Sequence, residues 1–396
     1  MLRSRRIVTA VNDASDLAIA SIEAIGCSVP LRQGVSQGLG TAVKRDTVMI
    51  KVTTAGGLTG WGESYNGRAP LAIAATVNTT LRDLLTGRDA TATTATWQLF
   101  EDRVLANHGT CAACVCAMSG LDMALWDIRG KACGLPLYRL LGGTPAPLPA
   151  YAGGFSLGYA APAAVAEEAQ RQVAGGYRAV KLRLGDTREA DAQRARALRS
   201  SLGPSVAILA DANCRYRVDD VRASLPLLAE AGVGWLEEPF PPYDDPSWRA
   251  AAAIAAPVLP LAGGENLYTR HEFRRVIEAG VISVVQPDLS RCGGITEALR
   301  IAALAAAAGL DVCTHGCHTG LNMAASVHFL ASIGRCARYF EGDGSADNPL
   351  RTTLCSDSYT LAADGTVTPL EGPGLGVAVD EEFLRAHPVT EGQAWR

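Results

Sequence analysis

A chain of 396 residues with 36 basic and 40 acidic side chains has a formal charge of −4, and it is 48% hydrophobic and 19% charged. It has no basic field for nucleic acid, and no run nears the roughly 18 apolar residues of a membrane helix, so both partner classes are excluded. Its eleven cysteines are scattered and odd in number, which argues against a disulfide framework and for a reducing cytoplasm.

The length allows two domains and a large core. Residues 1–17 open as MLRSRRIVTAVNDASDL. They faintly resemble a signal peptide, but Asp13 and Asp16 interrupt the apolar stretch, so an N-terminal extension is expected. Residues 18–145 read as an α+β capping domain. AIASIEAIGCSVPL (18–31) and TVMIKVTTAGGLTGWGES (47–64) carry strand signals, and helical blocks follow at 69–86, 91–105 and 111–134. CAACVC (111–116) has no fourth ligand at a suitable spacing, so buried thiols are expected there rather than zinc. The Gly- and Pro-rich GGTPAPLP near 142–149 marks a boundary.

Residues 146–350 read as a barrel. After a first strand, LPAYAGG (148–154), come AVKLRL (179–184), VAILADAN (206–213), GWLEEP (234–239), VLPLAGGEN (258–266), VISVVQPD (281–288), LDVCTH (310–315) and ARYFE (337–341). Most are short and apolar, as strands covered on both faces should be. Helical spacing recurs between them, as at 188–201, 218–231, 268–279 and 295–308. The runs close on Lys181, Asp211, Glu237, Glu265, Asp288, His315 and Glu341, at gaps of 30, 26, 28, 23, 27 and 26 residues. One polar residue per βα unit, always at the strand's end, is the layout of a parallel barrel with its site at the carboxyl-terminal mouth. Residues 351–396 form a C-terminal segment, with a hairpin expected around Asp364-Gly365.

Three carboxylates in register, Asp211, Glu237 and Glu265, suit Mg²⁺, which takes hard oxygen ligands and keeps open positions. The competing account is three unrelated charges, each paired with an arginine. Of the adjacent Glu237 and Glu238 only one can face inward, and periodicity leaves that choice open. Asn213 shares the face of Asp211 and is a candidate substrate contact. Asp288 is placed to fix the tautomer of His315 and make it a general base. His318 and Cys317 are loop residues near the pocket. Lys181 and Arg183 share one strand face and suit an anionic substrate. The chain has 32 Arg and only four Lys, so a strand-end lysine invites a chemical explanation. Glu341 reaches the same cavity or is a structural acid. Together these parts suggest proton removal beside a carboxylate. A mismatch of about twenty pKa units would cost roughly 27 kcal/mol, so metal and fixed donors must stabilise the enediolate.

In combination, SGLDMALWDIRGKACGLPLYRLLGG (119–143), KLR, DAN, WLEEP, GGEN, QPD and CTHG, in that order, resemble the enolase superfamily in its mandelate racemase subgroup, over about residues 18–385. The resemblance implies a (β/α)7β TIM-like barrel with an α+β cap to which the C-terminal segment returns, and a homo-oligomer. It implies Asp211, Glu237 and Glu265 as Mg²⁺ ligands, Asp288 and His315 as a catalytic dyad, and Glu341 as a hydrogen-bond donor to the substrate carboxylate. Residues near 27–45 would be the specificity loop, supported by 61–63. The wording at GGEN, QPD and NPLR (348–351) is similar to acid-sugar dehydratases and galactarolactone cycloisomerases.

Where racemases carry Lys-x-Lys, this chain has Arg183 as the second residue, and arginine stays protonated. Lys181 keeps its implied role of binding the substrate carboxylate. A one-base lyase is therefore expected, an acid-sugar dehydratase with His315 as base and then acid. A lactone cycloisomerase, or a racemase or epimerase, is the alternative, and a non-catalytic sugar-acid binder the third reading. Arg32, Lys44 and Arg45 are candidates to pair with a second carboxylate. The loop lacks aromatic residues, which suits a polyol.

Overall fold

The computed structural model describes residues 14–396 apart from Pro257 and Cys317. Most of the expected N-terminal extension, and Cys317, therefore lie outside the described residues. The chain begins with a 3-10 turn, Ala14–Leu17.

Three antiparallel strands follow, β1 (Ile19–Gln37), β2 (Gly40–Thr54) and β3 (Thr59–Ser64). The polar segment expected as a specificity loop is not a loop. β1 and β2 pair from Ile19↔Thr54 to Gln37↔Gly40, with one irregularity between Pro30 and Val35, so the segment is a long hairpin turning at Gly38 and Leu39. Backbone pairing satisfies its N–H and C=O groups whatever the side chains are. The end of the chain adds to it: Thr41 donates to Arg396 O (2.7 Å) and Val43 to Ala394 O (2.9 Å).

Val48, Ile50 and Val52 pack with Leu121 and Leu125 of the helix Ala112–Cys133. That helix starts at Cys111, whose sulfur caps Cys114 N, and ends at Gly134 in the left-handed conformation. Its contact with β3 is close enough to require glycine in the GWG motif. A Cβ on Gly62 would lie 1.9 Å from Gly120 O. Gly62→Ala is expected to cost about 3 kcal/mol through overpacking, read as a lower denaturant midpoint at unchanged slope.

Among the described residues, eight parallel strands form the barrel. They are β4 (Leu148–Gly153), β5 (Ala179–Arg183), β6 (Ala207–Asp211), β7 (Val233–Glu237), β8 (Leu261–Gly263), β9 (Val284–Val285), β10 (Asp311–Thr314) and β11 (Ala337–Asp343). They pair in sequence order, and β11 closes on β4 through Phe340↔Ala150 to Asp343↔Gly153. β8 and β9 are shorter than their apolar runs. Pro260 and Pro287 flank them, and proline donates no ladder hydrogen bond. The Asp364-Gly365 turn forms as expected, joining Leu361 to Val367, and β12 (Thr366–Val367) pairs antiparallel with β4.

Strand period two places the site. Tyr151, Leu209, Trp235 and Cys313 point inward and form an apolar plug, in which the rings of Tyr151, Trp235 and Tyr339 meet edge to face at 5.7–6.2 Å. Two residues further along three of these strands come Asp211, Glu237 and His315. A charged layer therefore sits on an aromatic floor. No helix of the described residues is long and apolar enough to cross a membrane.

Candidate active site

Lys181 is fully enclosed. Its Nζ lies 2.8 Å from Glu237 Oε1, 2.8 Å from Glu341 Oε1 and 3.7 Å from Asp211 Oδ2. Burial opposes its charge, but the carboxylates outweigh burial and hold its pKa well above the ordinary lysine value. Arg183 pairs with Asp211 and donates to Gly154 O at 2.7 Å. Glu237 Oε2 accepts from Trp235 Nε1 (3.2 Å) and Gln286 Nε2 (2.9 Å). Gln286 was not foreseen, although it lies two residues before Asp288 in QPD.

Glu237 takes the inward place left open between it and Glu238. Glu238 follows the strand with φ +38° and turns to Asn266 Nδ2 (2.7 Å) and Cys214 Sγ (3.5 Å). Asn213 also lies beyond its strand, at φ +43°, so the shared-face argument does not apply to it. The turn instead brings its N to Asp211 Oδ1 (2.8 Å) and its Nδ2 to Asp211 Oδ2 (3.1 Å).

His315 Nδ1 lies 2.8 Å from Asp288 Oδ2, and Nε2 lies 3.2 Å from Glu265 Oε2. Asp288 is held in place by Ser290 N (2.8 Å), Ser290 Oγ (2.6 Å) and Asn322 Nδ2 (3.2 Å) on Oδ1. Burial pushes Asp288 up, but these bonds and the imidazole leave it well below the usual carboxylate range. Burial pulls His315 down, and the Glu265 and Asp288 carboxylates outweigh it, bringing the imidazole to about 9. The base is the neutral form, so activity should rise with pH through the His315 pKa. Removing the Asp288 charge lowers that pKa. Asp288→Asn is expected to move the acid limb of the kcat/KM profile down by about one pH unit and to reduce its plateau about 10²-fold, measured across pH 5 to 10.

Glu341 is buried in the same layer. Burial raises its pKa, but Lys181 and His315 more than offset this and bring it to about 2, and Oε2 accepts from Gly316 N at 3.2 Å. In this state it is a carboxylate acceptor. Arg45 is buried at the mouth, 4.0 Å over the Phe155 ring and 2.7 Å from Ser345 Oγ. Lys44 beside it donates to Thr390 O (2.6 Å). Arg32 is not brought to the cavity. Its side chain is 89% exposed and pairs with Asp347 at 3.4 Å, because it sits where the β1–β2 pairing is interrupted.

Other cavity residues were missed. Arg291, three residues after Asp288, lies 3.4 Å from the centre of the Tyr65 ring and donates to Glu265 O (3.2 Å). Trp395 packs edge-on to Phe155 at 5.1 Å. The wall therefore does contain aromatic rings, supplied from outside the hairpin. Glu63 of β3 links cap to barrel by accepting from Thr319 and from Thr47 Oγ1 (3.1 Å), and burial raises it to about 7. The space above the charged layer, counted out to its opening, is about 620 Å³.

One oxygen from each of Asp211, Glu237 and Glu265 lies within 4.8 Å of the others. Among the described residues here, six carboxyl groups are buried: Asp211, Glu237, Glu238, Glu265, Asp288 and Glu341. Lys181, Arg183 and Arg291 are the permanent cations paired with them, while the buried Arg45 and Lys44 stand further out at the mouth. Crowding shows in Glu237, which burial raises to about 7 against the pull of Lys181, and in Glu238, pushed well above the ordinary value by burial and then by Glu265. An all-oxygen donor set with surplus negative charge fits a hard divalent cation.

A closed parallel barrel with a carboxylate cluster at its mouth, roofed by an α+β cap, defines a class of barrel enzymes. The chain belongs to the mandelate racemase / muconate lactonizing enzyme family. The model of that family's N-terminal domain matches residues 21–142, and the enolase C-terminal domain-like model matches residues 164–383. A 3,6-anhydro-alpha-L-galactonate cycloisomerase of Streptomyces coelicolor is 33% identical, over 87% of this chain and 92% of that protein. A D-galactonate dehydratase of Variovorax paradoxus is 33% identical, over 88% and 92%. A solved enolase superfamily member from Polaromonas sp. JS666 superposes with a TM-score of 0.92 at 46% identity, over 96% of this chain and all of that one.

Proposed function

We propose that the protein is a Mg²⁺-dependent acid-sugar dehydratase in which His315 is both base and acid. The observation that carries this reading is the asymmetry of the site's bases. His315 is backed by Asp288 and presents Nε2 to the carboxylate cluster, whereas Lys181 is bound up by three carboxylates and Arg183 is a permanent cation.

A divalent cation held by Asp211, Glu237 and Glu265 would supply charge that stabilises the enediolate. Arg183, which lines the cavity, orients the substrate carboxylate, and Lys181 beneath it adds positive charge from within the layer. His315 Nε2 takes the proton from the carbon beside it, and the electron pair of that C–H bond moves into the enediolate. The imidazolium, stabilised by Asp288, then returns the proton to the β-hydroxyl as its C–O bond breaks. Water leaves, and the enol product becomes a 2-keto acid.

The cycloisomerase reading uses the same first step. If the β-oxygen belongs to a ring, it stays attached when its bond breaks, and the ring opens without loss of mass. The cycloisomerase relative favours keeping this alternative. The test is turnover of a panel of aldonates, aldarates and their lactones with Mg²⁺, followed by mass of the product. A keto acid lighter by one water is expected. A mass-neutral keto acid would favour the cycloisomerase, and full activity after dialysis into excess chelator would refute the metal-dependent mechanism.

A further inference from the structure

Among the buried, cavity-lining side-chain atoms without a hydrogen-bond partner, three belong to uncharged side chains: Gln37 Oε1, Asn213 Oδ1 and His318 Nδ1; others, such as Arg183 Nε and Arg291 Nε, belong to the charged groups already described. The three come from separate parts of the chain. Gln37 ends β1 of the cap and is 5% exposed, Asn213 follows β6 and is 5% exposed, and His318 follows β10. Asn213 has its amide nitrogen committed to Asp211, which leaves its oxygen without a donor. His318 lies edge-on between Tyr65 (5.2 Å) and His315 (6.4 Å). Burial lowers its pKa to about 3 against the pull of Asp288, so it stays neutral, with one ring nitrogen donating and the other accepting.

Buried polar atoms are almost always paired, and unpaired ones that line one cavity are paired by what enters it. None of the three carries a charge, so they do not suit a second carboxylate. They suit hydroxyl groups, each of which donates one hydrogen bond and accepts others. The charged layer beneath them takes the carboxylate.

We propose that Gln37 and His318 are specificity-determining residues that bind hydroxyls beyond the reacting carbons, so that the preferred substrate is an extended polyhydroxy acid rather than a short 2-hydroxy acid. This rests on the proton-abstraction reading above. It moves the hairpin's contribution from the arginines to Gln37, the last residue of its first strand.

The test is a chain-length ladder. Glycerate, the four-carbon aldonates and the hexonates of each configuration are assayed in deuterated water with Mg²⁺ for α-proton exchange. Wild type should favour its best hexonate over glycerate by about 10²-fold in kcat/KM. Gln37→Met and His318→Phe should each reduce that hexonate-to-glycerate ratio about 10-fold, and His318→Gln should restore most of it. Far-UV circular dichroism and the thermal midpoint identify any variant that fails to fold, and the other variant then carries the test. If wild type treats glycerate and hexonates alike, or both variants leave the ratio unchanged, the hydroxyl assignment falls and proton abstraction stands. If nothing on the ladder exchanges with wild type, and no aldarate or lactone of the panel above does either, the proton-abstraction reading falls, and this inference falls with it.

Discussion

His315→Asn is expected to lower turnover by about 10³- to 10⁴-fold while leaving the fold intact. The asparagine amide can still donate to Asp288, whose other oxygen keeps its bonds to Ser290 and Asn322. What is lost is the atom that takes the proton. The groups nearby are poor substitutes. Lys181 would have to give up its proton beside Glu237, Glu341 and Asp211, all of which stabilise its charge. His318 has its pKa lowered by burial and is a weak base. The measurements are kcat and thermal midpoint, side by side. A loss of less than about 10-fold would contradict the assignment of His315 as the base.

Glu237→Gln is expected to weaken Mg²⁺ binding about 10²-fold and turnover about 10³-fold. Lys181 keeps Glu341 and Asp211 as partners, so the substitution does not leave a buried charge unpaired. It removes one carboxylate from the cluster and reduces the negative surplus that favours a divalent ion. Mg²⁺ at about 100 times its Kd should stabilise wild type by about 2.7 kcal/mol against unfolding. The variant should gain almost nothing at the same concentration. This second readout is independent of activity. An unchanged Mg²⁺ titration in Glu237→Gln would remove Glu237 from the metal site.

The charged layer was legible because strand period is short and strict. Once Lys181, Asp211, Glu237, Glu265, Asp288 and His315 stand at strand ends, their meeting at one mouth follows from barrel closure. The pair Glu237 and Glu238 shows the limit of that reasoning. The strand ends at Glu237, and a positive φ turns Glu238 onto Asn266, which no alternation pattern reports. The cavity roof was less legible, since its contacts join distant segments. Trp395 reaches Phe155 only because the last residues pair with β2. Arg32 and Arg45 looked equivalent in the sequence. One is exposed beside Asp347 and the other is buried on Phe155, a difference set by an irregularity in strand register. The protonation of Glu341 depends on Lys181, His315 and Arg183 around it, which its spacing along the chain does not report.

The central claim is that one base, His315, removes the proton beside a substrate carboxylate. Exchange of that proton with deuterated solvent, followed by NMR on substrates of both C2 configurations, tests this most directly. Wild type with Mg²⁺ should exchange one configuration only, and His315→Asn should exchange neither. If wild type exchanges both, and His315→Asn still exchanges one, a second base works on the opposite face and the single-base account is wrong.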